Sequence, residues 1–332
     1  MTATTNVDAL VDVAAPTDVR IVTVSRKRRR RNLIATVAMI ASLVVAAIPL
    51  VYVSATVVVK GSEVMSWSFL TSDIPNTASA GELQGDCAAQ AKYGGDTSSC
   101  EEASEQKIQP GIGPAVVGTI IVTGLSALLA IPLGILAAVY LNEYGKSKPL
   151  ARFVRFMTDV MTGVPSVIMG IFIYTFWVRN LGQGRSALAA ALALACLMLP
   201  IVVRSSEEML RLVPNSLREG SSALGARTWK TTVRVVLPSA LPGLVSGSML
   251  AVARAAGETA PVLFTIGTIY QVRDAFTVTE QSTTLSYQIY NLITNGGQLS
   301  PQMAWGAALT LIVMVLVLTT IARSVSARFT MR

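Results

Sequence analysis

Arg254 and Glu258 are the residues whose types and spacing offer chemistry, because they interrupt an otherwise apolar run from about Ser239 to Gly267. Placed four apart on a helix, guanidinium and carboxylate share one face and can pair. If that run crosses a membrane, an ionised Arg near its middle costs at least about 2.5 to 3.5 kcal/mol and must face a bundle interior or an aqueous cavity. Two readings follow. In one, the pair is an intrahelical salt bridge that only fixes helix packing. In the other, an oxyanion passes the site, drawn by a planar fork that matches two of its oxygens. Glu258 then orients Arg254 and keeps the anion from binding too tightly to leave. Pro261 cannot donate to residue 257, which opens the helix just beyond the pair. Thr162 and Ser166, flanking Pro165 in a second apolar run, could donate hydroxyl bonds to an anion or serve as packing contacts between helices.

Other chemistries are excluded by composition. The chain has no His and three Cys, which removes the commonest acid/base and leaves too few ligands for a zinc site. Ser-His-Asp hydrolysis and metal-dependent hydrolysis fall with them. Tyr144-Gly-Lys-Ser147 is only the tail of a phosphate-binding loop, with Tyr140 where the first Gly should stand. The chain is therefore expected to bind no ATP and no cofactor of its own.

The elements that must position these residues are membrane spans. At 52% hydrophobic and 14% charged, with a mean hydropathy of +0.55, the chain is far more apolar than a soluble domain. Leu33–Val59 holds no charge over 27 residues, enough helix to exceed a hydrocarbon core of about 30 Å. Gly113–Leu141, Val160–Val178, Ser186–Val203 and Met303–Ala322 are likewise uncharged, and Ser239–Gly267 makes a sixth span. The expectation is an all-α polytopic membrane protein with both termini on one side. If that side is the cytoplasm, inner segments hold 20 of the 27 Lys and Arg and outer segments 6, as the positive-inside bias requires. The run Arg26–Arg31 is then a membrane anchor beside lipid rather than a nucleic-acid arm.

These spans divide the chain into a basic cytoplasmic tail (1–32), a first transmembrane helix (33–59), an extracytoplasmic insertion (60–112), a core (113–322) and a short cytoplasmic tail (323–332). The insertion carries eight acids against three lysines. Its Cys87 and Cys100 could close a disulfide outside the membrane or remain free thiols, while Cys196 reads as a small core residue.

The cytoplasmic segment 204–238 is too long for a hairpin and reads as short amphipathic helices. Glu207–Leu212 is one, Asn215 or Ser216 caps a second with Glu219 in its first turn, and Gly225 breaks it. Arg227–Val236 places Trp229 and Val233 on an apolar face and Lys230 and Arg234 on a basic one, and Leu237-Pro238 ends it. Such an element suits a groove in another protein or a membrane surface. Arg204, at the end of a span, is by position an interfacial anchor.

Glu219-Gly-Ser-Ser-Ala-Leu-Gly225, nine residues, then Val235-Val-Leu-Pro238 resembles the EAA loop of binding-protein-dependent ABC importer permeases, with Gly220 and Ser221 in place of its two alanines. Within that family, Gly163–Gly170, Leu199–Glu219 and Arg254-Ala-Ala-Gly-Glu-Thr-Ala-Pro261 look like the phosphate-specific permease of the PstA type. The resemblance covers about 110–325. The first tail and the acidic insertion lie outside it, as additions of this chain or its lineage.

It implies a type I importer permease (MetI-like) fold with six transmembrane helices in a prokaryotic cytoplasmic membrane. It also implies that Glu219, Gly225, Trp229, Leu237 and Pro238 belong to a coupling helix seated in an ATPase subunit. Arg204 matches a pathway arginine of such permeases. The implied partners are a PstC-type second permease subunit, a PstB-type ATPase dimer that binds the ATP and Mg, and a PstS-type phosphate-binding protein. Sulfate or molybdate import, a non-transporting membrane assembly protein and a self-gated channel are the alternatives, the last disfavoured by the coupling loop.

Overall fold

The computed structural model describes residues 26–74, 111–145, 148–295 and 300–330. Among them there is no strand. The chain divides after Ser54 into two compact units. Helix α1 (Arg26–Ser62) supplies the described part of the first, and its large apolar side chains from Leu33 to Val53 are exposed, as in a helix whose packing is completed by lipid. The basic run Arg26–Arg31 is the first turns of this helix rather than a tail preceding it.

In the second unit a short helix α2 (Trp67–Thr71) is capped by Ser66, whose Oγ accepts from the Phe69 amide at 3.1 Å. Phe69, Ile74 and Ile112 are buried with residues of the last two helices, so both ends of the predicted 60–112 insertion belong to the core. Cys87 and Cys100 lie outside the described residues.

The helices that follow are α3 (Gly113–Tyr144), α4 (Pro149–Gly163), α5 (Ser166–Asn180), α6 (Ala187–Leu212), α7 (Asn215–Ala223), α8 (Thr228–Ala256), α9 (Ala260–Thr265), α10 (Leu285–Asn295) and α11 (Ser300–Thr330). Helix α6 starts where Ser186 accepts from the Ala189 amide, and its fully buried Ala187, Ala189, Ala190, Ala191 and Ala193 let neighbouring helices approach closely. Gly134 of α3 meets Val202 in the same way, because a Cβ there would stand 2.7 Å from a Val202 methyl.

Among the described residues, five helices are long and apolar enough to cross a membrane, or six if the bent pair α4 and α5 is one span. That pair replaces the straight span predicted over 160–178. It turns by 105° at Val164-Pro165, because proline forces the residue before it into extended backbone, here φ −76° and ψ 128°.

Three further boundaries differ from the sequence reading. The run 239–267 is not one helix: α8 stops at Ala256 and Pro261 falls in the first turn of α9, where a missing N–H costs nothing. Glu207–Leu212 is not a separate helix but the end of α6, which runs nine residues past Val203. Leu237-Pro238 does not end an element either. Pro238 cannot donate to Arg234, so the helix widens into a π turn at Thr232–Val236 and continues.

Candidate functional site

The break between α4 and α5 opens a cavity of about 370 Å³, at the small end of ligand-site volumes. Thr162 of α4, Ser166 of α5, Pro200 of α6 and Arg254 of α8 line it together. Residues far apart in the chain and singled out for anion chemistry thus share one space. Arg254 occupies the last turn of α8, where the helix dipole favours a cation, and its side chain is 64% exposed toward open space. Ser166 begins α5 behind Pro165, and the unpaired amides of a helix start favour an anion.

Glu258 lies beyond the end of α8, not on the same helix as the sequence implied. The pair survives nonetheless: Gly257 and Glu258 donate their amides to Arg254 O and Ala255 O, and this turn leaves Arg254 Nε 3.5 Å from Glu258 Oε1. Ser286 Oγ, 3.1 Å from Glu258 O, ties the turn to α10.

Thr162 is not a free donor. Its hydroxyl donates to Asp159 O at 2.7 Å. Asp159 itself, which carried no signal in the sequence, pairs with Arg204. Arg204 is therefore neither a simple interfacial anchor nor an unpaired cation, and α6 continues two turns beyond it.

The coupling residues gather at the opposite end of α8 from Arg254. Helix α7 follows Pro214 with no side-chain cap, so Asn215 and Ser216 do not cap it, and Glu219 stands one turn in rather than in the first turn. Gly225 has φ +78°, a left-handed conformation that only glycine adopts cheaply. It turns the chain so that Leu224, Trp229 and Val233 are exposed, Leu224 at 90%. Glu219 and Pro238 are exposed as well, while Leu237 packs partly against the Val236 and Leu244 cluster. Large apolar side chains exposed at a helix–turn–helix tip mark a surface that meets another protein or a membrane.

Sequence reasoning missed a buried ionic layer beneath this tip. Arg218 Nη2 is 2.9 Å from Glu143 Oε1, and Arg155 Nε is 2.9 Å from Glu207 Oε1. The available signal was a charge (Glu207) placed inside what proved to be a continued helix.

A helical bundle with a bent span, a polar cavity and an exposed turn of this kind defines the membrane subunit of a transporter. The model of the family described as binding-protein-dependent transport system inner membrane component matches residues 130–331, and the chain belongs to that family. It is similar to the phosphate transport system permease protein PstA 1 of Mycobacterium tuberculosis, with 40% identity over 316 residues, 95% of this chain and 94% of that one. Among solved structures, a bacterial alginate ABC transporter in complex with alginate pentasaccharide-bound periplasmic protein shares the fold, with TM-score 0.61 and 18% identity over 92% of this chain and 97% of that one. An inward-facing MetNI methionine ABC transporter gives TM-score 0.52 and 21% identity over 65% and 93%. The chain is a multi-pass permease component of an ABC importer, not an enzyme.

Proposed function

We propose that this chain is one permease half of an ATP-driven importer of inorganic phosphate, with Arg254 at the point the anion passes. The similarity to a named phosphate permease supports the substrate. The observation that carries the site is the cavity in which Arg254 meets Ser166, Thr162 and the start of α5. An oxyanion there gains a guanidinium fork, a hydroxyl and helix-start amides. Glu258 keeps the guanidinium partly neutralised between anions, which favours release over retention.

A PstC-type permease subunit completes the pathway, and a PstS-type protein delivers phosphate at the outer mouth. A PstB-type ATPase dimer holds ATP and Mg and closes against the segment from Glu219 to Pro238. The permease pair then exchanges outward-facing and inward-facing states. Both termini lie in the cytoplasm in this reading.

Uptake of labelled phosphate by cells carrying Arg254→Gln tests it. Loss of uptake with the complex at normal abundance is expected, and unchanged uptake removes Arg254 from the pathway. A cysteine at Trp229 should crosslink to the ATPase; an assembled, transporting complex that never crosslinks there overturns the docking.

A further inference from the structure

We propose that Arg218 and Glu143 form a rigid joint through which the coupling helix α7 moves the spanning helices α3 and α6 as one body. The proposal rests on the reading of Glu219 to Pro238 as the ATPase-facing surface.

Two breaks in backbone hydrogen bonding meet at this point. Pro214 has no N–H, so the carbonyl of Leu210, four residues earlier, loses its helical donor. Arg218 Nη2 donates to that carbonyl at 2.8 Å, and Nη1 to Val213 O at 2.7 Å and Asn215 Oδ1 at 3.3 Å. The guanidinium thus closes the C-terminal end of α6, where the dipole favours a cation. The second break is the π turn Tyr140–Tyr144 that ends α3 and carries Glu143.

Glu143 accepts from Arg218 Nη2 at 2.9 Å and from Nε at 3.3 Å, and from Asn142 Nδ2 at 2.7 Å. Its side chain is 6% exposed and that of Arg218 15%, so water cannot replace either partner cheaply. All three guanidinium nitrogens are engaged, on α6, on α7's own start and on α3. A lysine has no such fork.

The layer continues toward the cavity. Arg155 of α4 donates to Leu141 O of the same π turn at 2.8 Å and to buried Glu207 of α6 at 2.9 Å. Arg155 lies two turns before Thr162, at the cavity wall. A push on α7 therefore reaches the α4–α5 break through polar contacts that hold α3, α4 and α6 together, with Arg218 bridging the extended residues Val213 and Pro214 between α6 and α7.

The test uses the whole complex in liposomes with its binding protein, labelled inorganic phosphate and ATP. Arg218→Met should keep the coupling-segment crosslink and basal ATP hydrolysis but raise the ATP consumed per phosphate by about tenfold, a usual size for a coupling energy. A ratio unchanged in Arg218→Met, with the crosslink intact, overturns the joint alone. Absence of the crosslink in the unsubstituted complex overturns the docking reading, and this proposal with it. If Arg218→Met does not assemble, spin labels at Tyr144 and Ala223 in the otherwise native complex decide. Their separation should be the same with and without ATP, and a change of more than roughly one helical turn, about 5 Å, overturns the joint.

Discussion

Gly170 of α5 packs on Pro261 of α9 so closely that a Cβ there would stand 2.6 Å from Pro261 Cα and 2.7 Å from its carbonyl oxygen. The contact joins the helix that starts at the cavity to the short helix that follows Glu258. Both sides of it are backbone, so neither can yield by a rotamer change.

Gly170→Ala should therefore destabilise the protein by about 1 to 3 kcal/mol, the usual cost of overpacking. Thermal unfolding of the purified complex reads this directly. A midpoint equal to that of the native protein would show that α5 and α9 move apart freely.

Glu258→Gln removes the carboxylate that shares Arg254 with the passing anion. Phosphate should then bind more tightly and leave more slowly, so the apparent KM of uptake falls and the maximal rate falls with it. Single-turnover release from the assembled transporter separates the two. A lower rate with KM raised would mean that Glu258 holds Arg254 in place and does nothing more.

The two ion pairs on α6 and α7 should differ in worth because water reaches them differently. Arg204 and Asp159 are 42% and 49% exposed, so Asp159→Ala should cost no more than about 1 kcal/mol. Glu143 and Arg218 are only 6% and 15% exposed, and Glu143→Ala should cost about 1.5 to 3 kcal/mol, because the guanidinium loses its one charged partner while keeping its bonds to Leu210 O and Val213 O. Denaturation of both variants side by side checks the ordering, and equal losses would contradict it.

Gly220 lies within α7, and a Cβ built on it meets nothing within 4 Å. Gly220→Ala should stabilise the isolated subunit by about 0.5 to 1 kcal/mol through helix propensity alone. If the same change weakens the assembled transporter, the open space beside Gly220 is where the ATPase sits, and comparison of subunit with complex distinguishes the two results.

The all-α class and the positions of four of the six spans were legible in the sequence because a bilayer demands long uncharged runs, and such runs need no tertiary knowledge to find. Gly113–Leu141 and Met303–Ala322 fall within α3 and α11, and the small-residue run at the start of α6 announced its burial. Gly225 could be placed at a turn from its type, and the structure gives the positive φ that makes glycine necessary. The cavity residues Arg254, Ser166 and Thr162 could each be chosen by chemistry, but no spacing in one dimension says that they meet.

Three matters belonged to the tertiary structure. The bend at Val164-Pro165 is decided by what receives α5 after the turn, since proline alone permits a kink of any size. The continuation of α6 to Leu212 carries Glu207 into the core, where Arg155 of α4 and Arg211 pair with it. The pairing of Asp159 with Arg204, and of Glu143 with Arg218, joins residues 45 and 75 positions apart. Hydropathy and period record how each segment meets its solvent, lipid or water. Ion pairs between segments depend on which helices are neighbours, and that is fixed only when the apolar faces have packed.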